Sequence, residues 1–179
     1  MANYTKTLII ETFENMVERM PFDKITVTAL IKECNIGRNT FYYHYEDIYA
    51  LLDDILIKTL KKYDDSVKET DWKDVFKSLL KSCKENKNKV YNIFNSISRE
   101  RLERYIFDGM DSIITSSVME IAKSRNISNE RAEIVANIVR YSLYGYFIHF
   151  LWDNMDYDID NGTDNLFNVY DEMIDLMLR

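Results

Sequence analysis

Apolar residues recur every three or four positions along almost the whole chain, which is the spacing of one face of a helix. The first run contains Ile9, Phe13 and Met16 and stops at Pro21, so it predicts a helix over residues 5–20. Similar patterns predict later helices over residues 72–85, 89–97, 100–125, 128–152 and 164–178. Because 179 residues include only 4 Gly and 1 Pro, the chain lacks the turns of a sandwich, a barrel or a doubly wound sheet. We therefore predict an all-α fold.

A short second helix is predicted to end at a tight turn near Asn35. Thr26 or Thr28 can cap its start, since a threonine hydroxyl accepts a hydrogen bond from a backbone N–H group. Asparagine suits the other end, because it tolerates the left-handed backbone of such a turn. The inward positions of this helix are Val27, Leu30, Ile31 and Cys34.

A third short helix opens at Gly37. Ile36 is expected to pack inward, and Phe41, five residues later, is expected in the core of the three helices. Two short helices joined by a turn of three or four residues form a helix-turn-helix. Asp47 can cap a fourth helix, and residues 64–71 are the predicted hinge that follows it. The apolar stripe of the fourth helix is Ile48, Leu51, Leu52, Ile55, Leu56, Thr59 and Tyr63.

Residues 134–152 read IVANIVRYSLYGYFIHFLW and are apolar nearly all round. A helix of this kind is buried on more than one side, so it can pack both on its own core and on a second subunit. The last helix offers a matching surface, and a two-fold pair of these helices would form a four-helix bundle. The predicted interface residues are Tyr141, Tyr144, Ile148, Trp152, Phe167, Tyr170 and Ile174.

Composition indicates a folded protein, since 46% of the residues are hydrophobic and 13% are aromatic. The amino terminus lacks the basic start and apolar run of a signal peptide, and no window is apolar enough for a membrane span. We expect a cytoplasmic protein without a membrane segment, in which Cys34 and Cys83 stay reduced.

The formal net charge of −7 opposes nonspecific binding to phosphates, so the distribution of charge matters more than the sum. Residues 1–47 are slightly acidic, and residues 153–175 contain many acids with no Lys or Arg. From Cys34 to Tyr45, however, the chain contains no acidic residue. Contact with a polyanion is most expected there.

The run IGRNTFYYHYED, residues 36–47, combines Arg, Asn, His and four aromatic residues. In a helix-turn-helix the second helix enters the major groove with its early residues at base edges, while flanking groups hold phosphates. Arg38 can pair with guanine and Asn39 with adenine. The predicted DNA-binding residues are Thr26, Thr28, Gly37, Arg38, Asn39, Thr40, Tyr42, Tyr43 and His44.

Residues 26–52, TVTALIKECNIGRNTFYYHYEDIYALL, resemble the amino-terminal signature of the TetR/AcrR transcriptional regulators, T-V-x-x-I-A-x-x-A-G-V-S-x-x-T-[FL]-Y-x-H-F. The resemblance implies a homodimeric, all-helical DNA-binding regulator, whose variable carboxy-terminal domain binds a small molecule and supplies the dimer interface. We predict a helix-turn-helix DNA-binding domain over residues 1–47 and a regulatory and dimerisation domain over residues 48–179. The matching residues are Thr26, Val27, Leu30, Cys34, Ile36, Thr40, Phe41, Tyr42, His44 and Tyr45.

The chain departs from this signature at the turn and after the third helix. Asn35 replaces the turn glycine, and Gly37 replaces the serine that often caps the recognition helix. Glu46 and Asp47 stand where basic residues are frequent, so backbone N–H groups at a helix start would have to hold phosphate there. Residues 39–47 also resemble N-T-F-Y-Y-H-F-x-D, a sequence found in a subgroup of dihydroxyacetone kinase operon regulators and coactivators. The rest of the chain does not resemble that subgroup enough to assign the protein to it.

Three further features have plainer interpretations. The loop DNMDYDIDNGTD spaces its acids like a calcium loop, but Asn161 replaces the required glycine and Phe167 the bidentate glutamate. His149 has no ligand nearby in sequence, which favours a satisfied buried or interface imidazole, and we predict no metal and no cofactor. A stripe on one helix is predicted to be a solvated face and consists of Lys73, Lys77, Lys81 and Lys84.

We predict a sequence-specific repressor that binds double-stranded operator DNA as a homodimer and responds to a small-molecule effector. Phe94, Tyr105 and Tyr144 are the candidate effector-binding residues, chosen among the aromatic side chains of the middle helices. The alternative is a ligand-independent interaction protein or coactivator that recruits another regulator or a kinase subunit. No spacing of nucleophile, base and orienting group is present, so we predict no enzymatic activity.

Overall fold

The computed structural model describes residues 2–67 and 71–179, with side chains for all of these except residues 2, 3, 60–67, 108, 110, 112 and 113. Within these ranges the chain forms nine α-helices and one 3-10 helix, without a strand, which confirms the all-α fold. The bounds are α1 Ala2–Arg19, the 3-10 helix Phe22–Lys24, α2 Val27–Cys34, α3 Arg38–His44, α4 Ile48–Val67, α5 Trp72–Glu85, α6 Lys87–Phe94, α7 Arg99–Ser124, α8 Asn129–Trp152 and α9 Ile159–Met177.

The chain packs as two compact units. The first contains Met1–Thr59 and Asn86–Leu102, and the second contains Leu60–Glu85 and Glu103–Arg179. These units describe packing and not independent function, so the predicted domain boundary after residue 47 stays a prediction.

The core of the first unit is built around one face of α1. Ile9 and Phe13 on that face are almost completely buried, as the helical spacing predicts. Phe22 follows Pro21, which ends the helical pattern of α1. Its ring packs edge-on against Phe13 with the centroids 6.0 Å apart. Burial of each such side chain contributes roughly 1.5–3 kcal/mol. The other large side chains that are fully buried in this core are Leu30, Phe41, Leu51 and Leu52.

The core of the second unit is rich in aromatic rings. Trp72 at the start of α5 packs edge-on against Phe167 of α9, with the centroids 5.4 Å apart, and against Tyr170 at 6.2 Å. Edge-to-face pairs of this kind add stability beyond their buried area. The buried residues that α8 contributes to this core are Ala132, Val135, Ala136, Val139, Leu143, Phe147, Phe150 and Leu151.

α9 begins at Ile159, five residues before the predicted start, so the prediction of residue 164 was wrong. The reason is Asp158, whose carboxylate accepts a hydrogen bond from the Asn161 backbone N–H at 3.2 Å and so caps the helix. Gly162 lies inside the first turn of α9. A Cβ atom at Gly162 would lie 2.5 Å from Cε2 of Tyr157, so close packing against that ring explains the glycine.

The predicted hinge over residues 64–71 is partly helical. α4 continues to Val67, because nothing in that polar stretch breaks a helix, and the prediction was wrong for residues 64–67. Residues 68–70 lie outside the described residues.

The lysine stripe on α5 is not a free solvated face, and that prediction was wrong. Nζ of Lys73 contacts both carboxylate oxygens of Asp171, at 2.5 and 2.6 Å. Lys77 pairs with Asp164 at 2.7 Å, and Lys81 pairs with Asp160 at 2.7 Å. Lys84 donates to the carbonyl oxygen of Tyr157 at 3.1 Å. The stripe joins α5 to the acidic face of α9, a partner helix that periodicity within α5 cannot reveal.

Candidate nucleic-acid interface

The turn between α2 and α3 has the predicted geometry. Asn35 adopts the left-handed conformation, with φ 53° and ψ 46°, and its N–H group donates to the carbonyl oxygens of Ile31 and Lys32. The N–H group of Ile36 donates to Ile31 at 3.0 Å. These bonds close the end of α2, as a left-handed residue just after a helix does. Ile36, predicted to pack inward, is half-buried.

Thr26, not Thr28, caps α2. The hydroxyl of Thr26 accepts a hydrogen bond from the N–H group of Ala29 at 3.1 Å. Thr28 lies within the first turn and is exposed. The cap and the left-handed turn together fix where α2 ends and α3 begins.

α3 begins after Gly37 and lacks a side-chain cap. The φ of Gly37 is −73°, so the backbone does not require glycine there. A Cβ atom at Gly37 would lie 3.6 Å from Oγ1 of Thr40, which is an ordinary contact. The serine common in the family signature would therefore fit, and its absence leaves the start of α3 held by backbone bonds alone.

Phe41 fixes α3 from its inner side. Its ring is 0% exposed and packs at 6.0 Å from the ring of Tyr45, the residue that ends the helix. The predicted position of Phe41 in the core is confirmed. With a spacing of 3.6 residues per turn, the opposite side of this short helix must then face outward.

The outward side of α3 carries the predicted recognition residues. Arg38 and Asn39 are exposed, Tyr42 is 44% exposed and Tyr43 is 78% exposed. Thr40 and His44 lie at the edge of this side and are half-buried. Thr26, Thr28 and Gly37 are also exposed. All nine predicted DNA-binding residues therefore lie on or beside α2 and α3 with some surface accessible.

Four of these side chains contact one another in two pairs. The guanidinium of Arg38 lies over the ring of Tyr42, with its carbon 5.6 Å from the ring centroid. The ring of Tyr43 meets that of His44 edge-on at 5.0 Å. Contacts of this kind limit the rotamers of exposed side chains before any ligand binds.

Two of the acidic side chains that flank α3 in sequence are engaged within the first unit. Glu33 on α2 accepts from the Arg19 guanidinium at 2.5 Å. Asp47 caps α4, accepting from the Ala50 N–H group at 2.8 Å, which confirms its predicted role. Glu46 is exposed. The charge of Glu33 is therefore offset by an ion pair, whereas Glu46 faces solvent without a described partner.

The predicted interface residues divide into two groups. Tyr141 and Trp152 on α8 are 60% and 70% exposed, while Tyr144 and Ile148 are half-buried. The other three, on α9, are buried within the protomer's own core: Phe167, Tyr170 and Ile174. Phe167 and Tyr170 pack against Trp72, and Ile174 is buried as well, so these three present little surface to a partner.

Sequence reasoning missed other exposed apolar residues on the same two helices. Ile134 and Ile138 extend the exposed face of α8, and Val169 and Leu176 form one on α9. The signal was present in the spacing, since positions 134, 138, 141, 145, 148 and 152 alternate steps of four and three. We call these six positions of α8, with Val169 and Leu176, the apolar face.

The three candidate effector-binding residues are not all in one unit. Phe94 belongs to the first unit, whereas Tyr105 and Tyr144 belong to the second, and all three are half-buried. The ring of Tyr144 stacks on Phe107 at 4.7 Å, and its hydroxyl donates to Glu103 at 3.1 Å.

His149 is exposed and pairs with Asp153 at 3.1 Å, so it is not buried within the chain, and its alternative place at an interface stays a prediction. The aspartates of the calcium-like loop are used in other ways. Asp158 caps α9, and Asp160 pairs with Lys77 and Lys81. Among the residues with described positions, no group of three or more His, Cys, Asp and Glu side chains is placed to hold a metal ion.

No helix in the described ranges is both long and apolar enough to cross a membrane.

Comparison with known proteins places this geometry in a family. The TetR family model described as "Transcriptional regulator C-terminal region" matches residues 70–172, more than half of the chain. No curated protein matches the chain.

Several solved structures share the fold. A TetR transcriptional regulator from Streptococcus agalactiae 2603V is 18% identical, with a TM-score of 0.65 over 97% of this chain and 94% of that one. The dihydroxyacetone kinase operon activator DhaS is 16% identical, with a TM-score of 0.62 over 96% and 97%. A TetR/AcrR-type regulator from Aquifex aeolicus VF5 is 18% identical, with a TM-score of 0.62 over 94% and 99%. With the family match and the helix-turn-helix, these likenesses lead to one assignment: the chain belongs to the TetR/AcrR family of transcriptional regulators.

Proposed function

We propose that this regulator is a sequence-specific repressor that binds operator DNA as a homodimer through α3. One observation carries the proposal. α3 is held from behind by the fully buried Phe41, while Arg38, Asn39, Tyr42 and Tyr43 project outward in a segment without acidic residues. A short, rigid helix with this chemistry suits the major groove.

Within this proposal the outward residues have different roles. Arg38 pairs with a guanine and Asn39 with an adenine, because their side chains match the donor and acceptor patterns of those bases. Gly37 allows the backbone at the start of α3 to approach a phosphate. The remaining residues donate to phosphate oxygens or contact sugars and thymine methyls: Thr26, Thr28, Thr40, Tyr42, Tyr43 and His44.

The proposed dimer forms through the apolar face. Its α8 positions follow the alternating four and three spacing of packed helices, and Tyr141 and Trp152 at its centre and end are more than half exposed. A large exposed apolar stripe is unfavourable in water and typical of an interface. Two copies related by a two-fold axis would pair α8 and α9 into a four-helix bundle. The three buried residues of α9 support this bundle from within the protomer.

We also propose that an effector modulates DNA binding. A ligand that binds one arrangement of the dimer more tightly than another shifts the population and so changes DNA affinity. Tyr105 and Tyr144, both half-buried, are the candidate contacts for a ligand bound within the second unit. The half-buried Phe94 is the candidate contact for a ligand bound within the first unit.

A second candidate function is that of an interaction protein or coactivator that recruits another regulator or a kinase subunit. The exposed Glu46 directly after α3, in a chain of net charge −7, favours it because like charge weakens binding to phosphates. The likeness to an operon activator also supports it. For either function we assign no catalytic activity, since the family consists of regulators.

Genomic footprinting followed by a salt titration separates the two functions. The purified protein should select a small set of promoter fragments, and its affinity for a duplex from that set should fall steeply with salt, as phosphate contacts require. An interaction protein would select no fragment, or would bind all duplexes equally and weakly. Either of those results would refute the repressor proposal.

A further inference from the structure

A single carboxylate on α4 gathers three donors at the end of the recognition helix. Oδ2 of Asp54 accepts from the hydroxyl of Tyr45 at 2.7 Å, from Nζ of Lys58 at 2.9 Å and from Nζ of Lys6 at 3.0 Å. Tyr45 is the residue directly after α3, and its side chain is 6% exposed. We call these four residues the Asp54 cluster.

The hydroxyl of Tyr45 is the unexpected member of this cluster. The family signature resembled by residues 26–52 has phenylalanine at this position, and a phenyl ring would fill the same apolar space. A hydroxyl that is buried needs a hydrogen-bond partner, since leaving it unpaired is costly. Asp54 supplies that partner, so the ring of Tyr45 is held at one angle, which apolar packing alone does not specify.

The cluster joins three helices of the first unit. Lys6 comes from α1, Asp54 and Lys58 come from α4, and Tyr45 is bonded to the last turn of α3 through its N–H group and the Phe41 carbonyl, 3.0 Å apart. Nζ of Lys6 also lies 5.3 Å from the centroid of the Tyr45 ring. The end of α3 is therefore tied to α1 and α4 by polar bonds, in addition to the apolar contact of Phe41.

We propose that Tyr45 and Asp54 are positioning residues that fix the orientation in which α3 is presented to DNA. Lys6 and Lys58 hold the Asp54 carboxylate in place for this purpose. The inference rests on the proposed function, because it concerns how α3 is oriented for DNA and not which bases it contacts.

The ionisation state of Asp54 supports a hydrogen bond between Asp54 and Tyr45 that persists at neutral pH. Burial by itself would raise the pKa of Asp54, but the bonds from Lys58, Tyr45 and Lys6 outweigh burial and lower the pKa to about 2. Burial, and next the bond to Asp54, raises the pKa of Tyr45. At neutral pH the carboxylate accepts and the phenol donates, so the bond is present throughout the working range of a regulator.

The Tyr45→Phe variant tests the proposal, because it removes one oxygen and leaves a ring that the family signature accepts. Without this bond, α3 is expected to hold the binding orientation in only a fraction of the molecules. Operator affinity then decreases in proportion to that fraction, by about threefold to tenfold. The matched control is Tyr49→Phe in the same unit, since the Tyr49 hydroxyl makes no hydrogen bond among the described residues. Tyr49→Phe should bind as the parent protein does.

Two further measurements follow, one without DNA and one with operator DNA. Amide hydrogen exchange in the intact 179-residue chain should accelerate in α3 for Tyr45→Phe, while exchange in α5, α8 and α9 stays unchanged. The salt dependence of operator binding should keep the same slope, because the number of phosphate contacts is unaltered. A merely structural role would instead accelerate exchange throughout the first unit.

A double-mutant cycle completes the test. Asp54→Ala combined with Tyr45→Phe should lose no more operator affinity than the larger of the two single changes, since each removes one end of the same bond. Parent-like affinity and α3 exchange in Tyr45→Phe would overturn the positioning role while leaving the repressor proposal intact. If the parent protein binds no operator, both proposals fail.

Discussion

The Nη2 atom of Arg38 donates to the hydroxyl of Tyr42 at 3.4 Å, one helical turn away along the exposed side of α3. The bond is long, and the guanidinium also lies over the tyrosine ring. Together these contacts hold the arginine along the helix and limit its rotamers. Because the arginine side chain is preorganised by these contacts, it loses less conformational entropy when it pairs with a base.

We expect Arg38→Ala to weaken operator binding by about 1–3 kcal/mol and to relax the preference at one base pair in each half-site, as loss of a bidentate guanine contact does. Fluorescence anisotropy on duplexes substituted at each position measures both effects. Arg179→Ala, at the exposed carboxy terminus, is the matched control. Unchanged affinity and unchanged base preference in Arg38→Ala would show that this arginine does not read DNA.

A charge placed in the apolar face is expected to dissociate the dimer. Ile138→Glu buries a carboxylate in the proposed interface, which is strongly unfavourable. Sedimentation velocity should show a dimer for the parent protein and a monomer for this variant. Ile57→Glu on α4 is the control, because Ile57 is similarly exposed but lies outside the apolar face. A monomeric Ile57→Glu protein, or a dimeric Ile138→Glu protein, would refute this interface.

The cap of α2 predicts different effects at two neighbouring threonines. Thr26→Ala removes the acceptor for the Ala29 N–H group and should lower the free energy of unfolding by about 1 kcal/mol. Thr28→Ala makes no such change and should stay within about 0.5 kcal/mol of the parent. Urea unfolding followed by circular dichroism measures both. Equal losses in the two variants would mean that Thr26 is not the cap.

The pKa of Asp54 predicts acid sensitivity of the first unit. Because folding lowers this pKa from 3.8 to about 2, the ionised carboxylate stabilises the folded state above about pH 4. That contribution is lost as the pH falls through about 2. The unfolding free energies of the parent and of Asp54→Asn should therefore differ most above about pH 4 and converge in acid. A constant difference over this range would contradict the lowered pKa.

The helices of this chain could be predicted from sequence because their apolar spacing and their caps are local. Asn35 and Asp47 have the predicted conformation and role, since each depends on residues within a few positions. The start of α9 was missed for a local reason, because Asp158 was hidden among several aspartates that resembled a calcium loop.

Features that depend on a partner helix could not be predicted. The pairing of Lys73 with Asp171 joins residues that are 98 positions apart, so the lysine stripe looked like a free surface. Phe167 looked like an interface residue, because an apolar stripe does not indicate whether it faces its own core or a second copy. The bond between Tyr45 and Asp54 is likewise invisible in sequence, where tyrosine at that position resembles the usual phenylalanine.

The most direct test of α3 as a major-groove reader is dimethyl sulfate protection of guanine N7 on the selected operator, since N7 lies in the major groove. We predict two protected clusters about 10 base pairs apart, one for each subunit of a homodimer, and loss of one protected guanine in each cluster for Arg38→Ala. A single cluster, protection unchanged by Arg38→Ala, or no protection on a duplex that the protein binds would contradict the account.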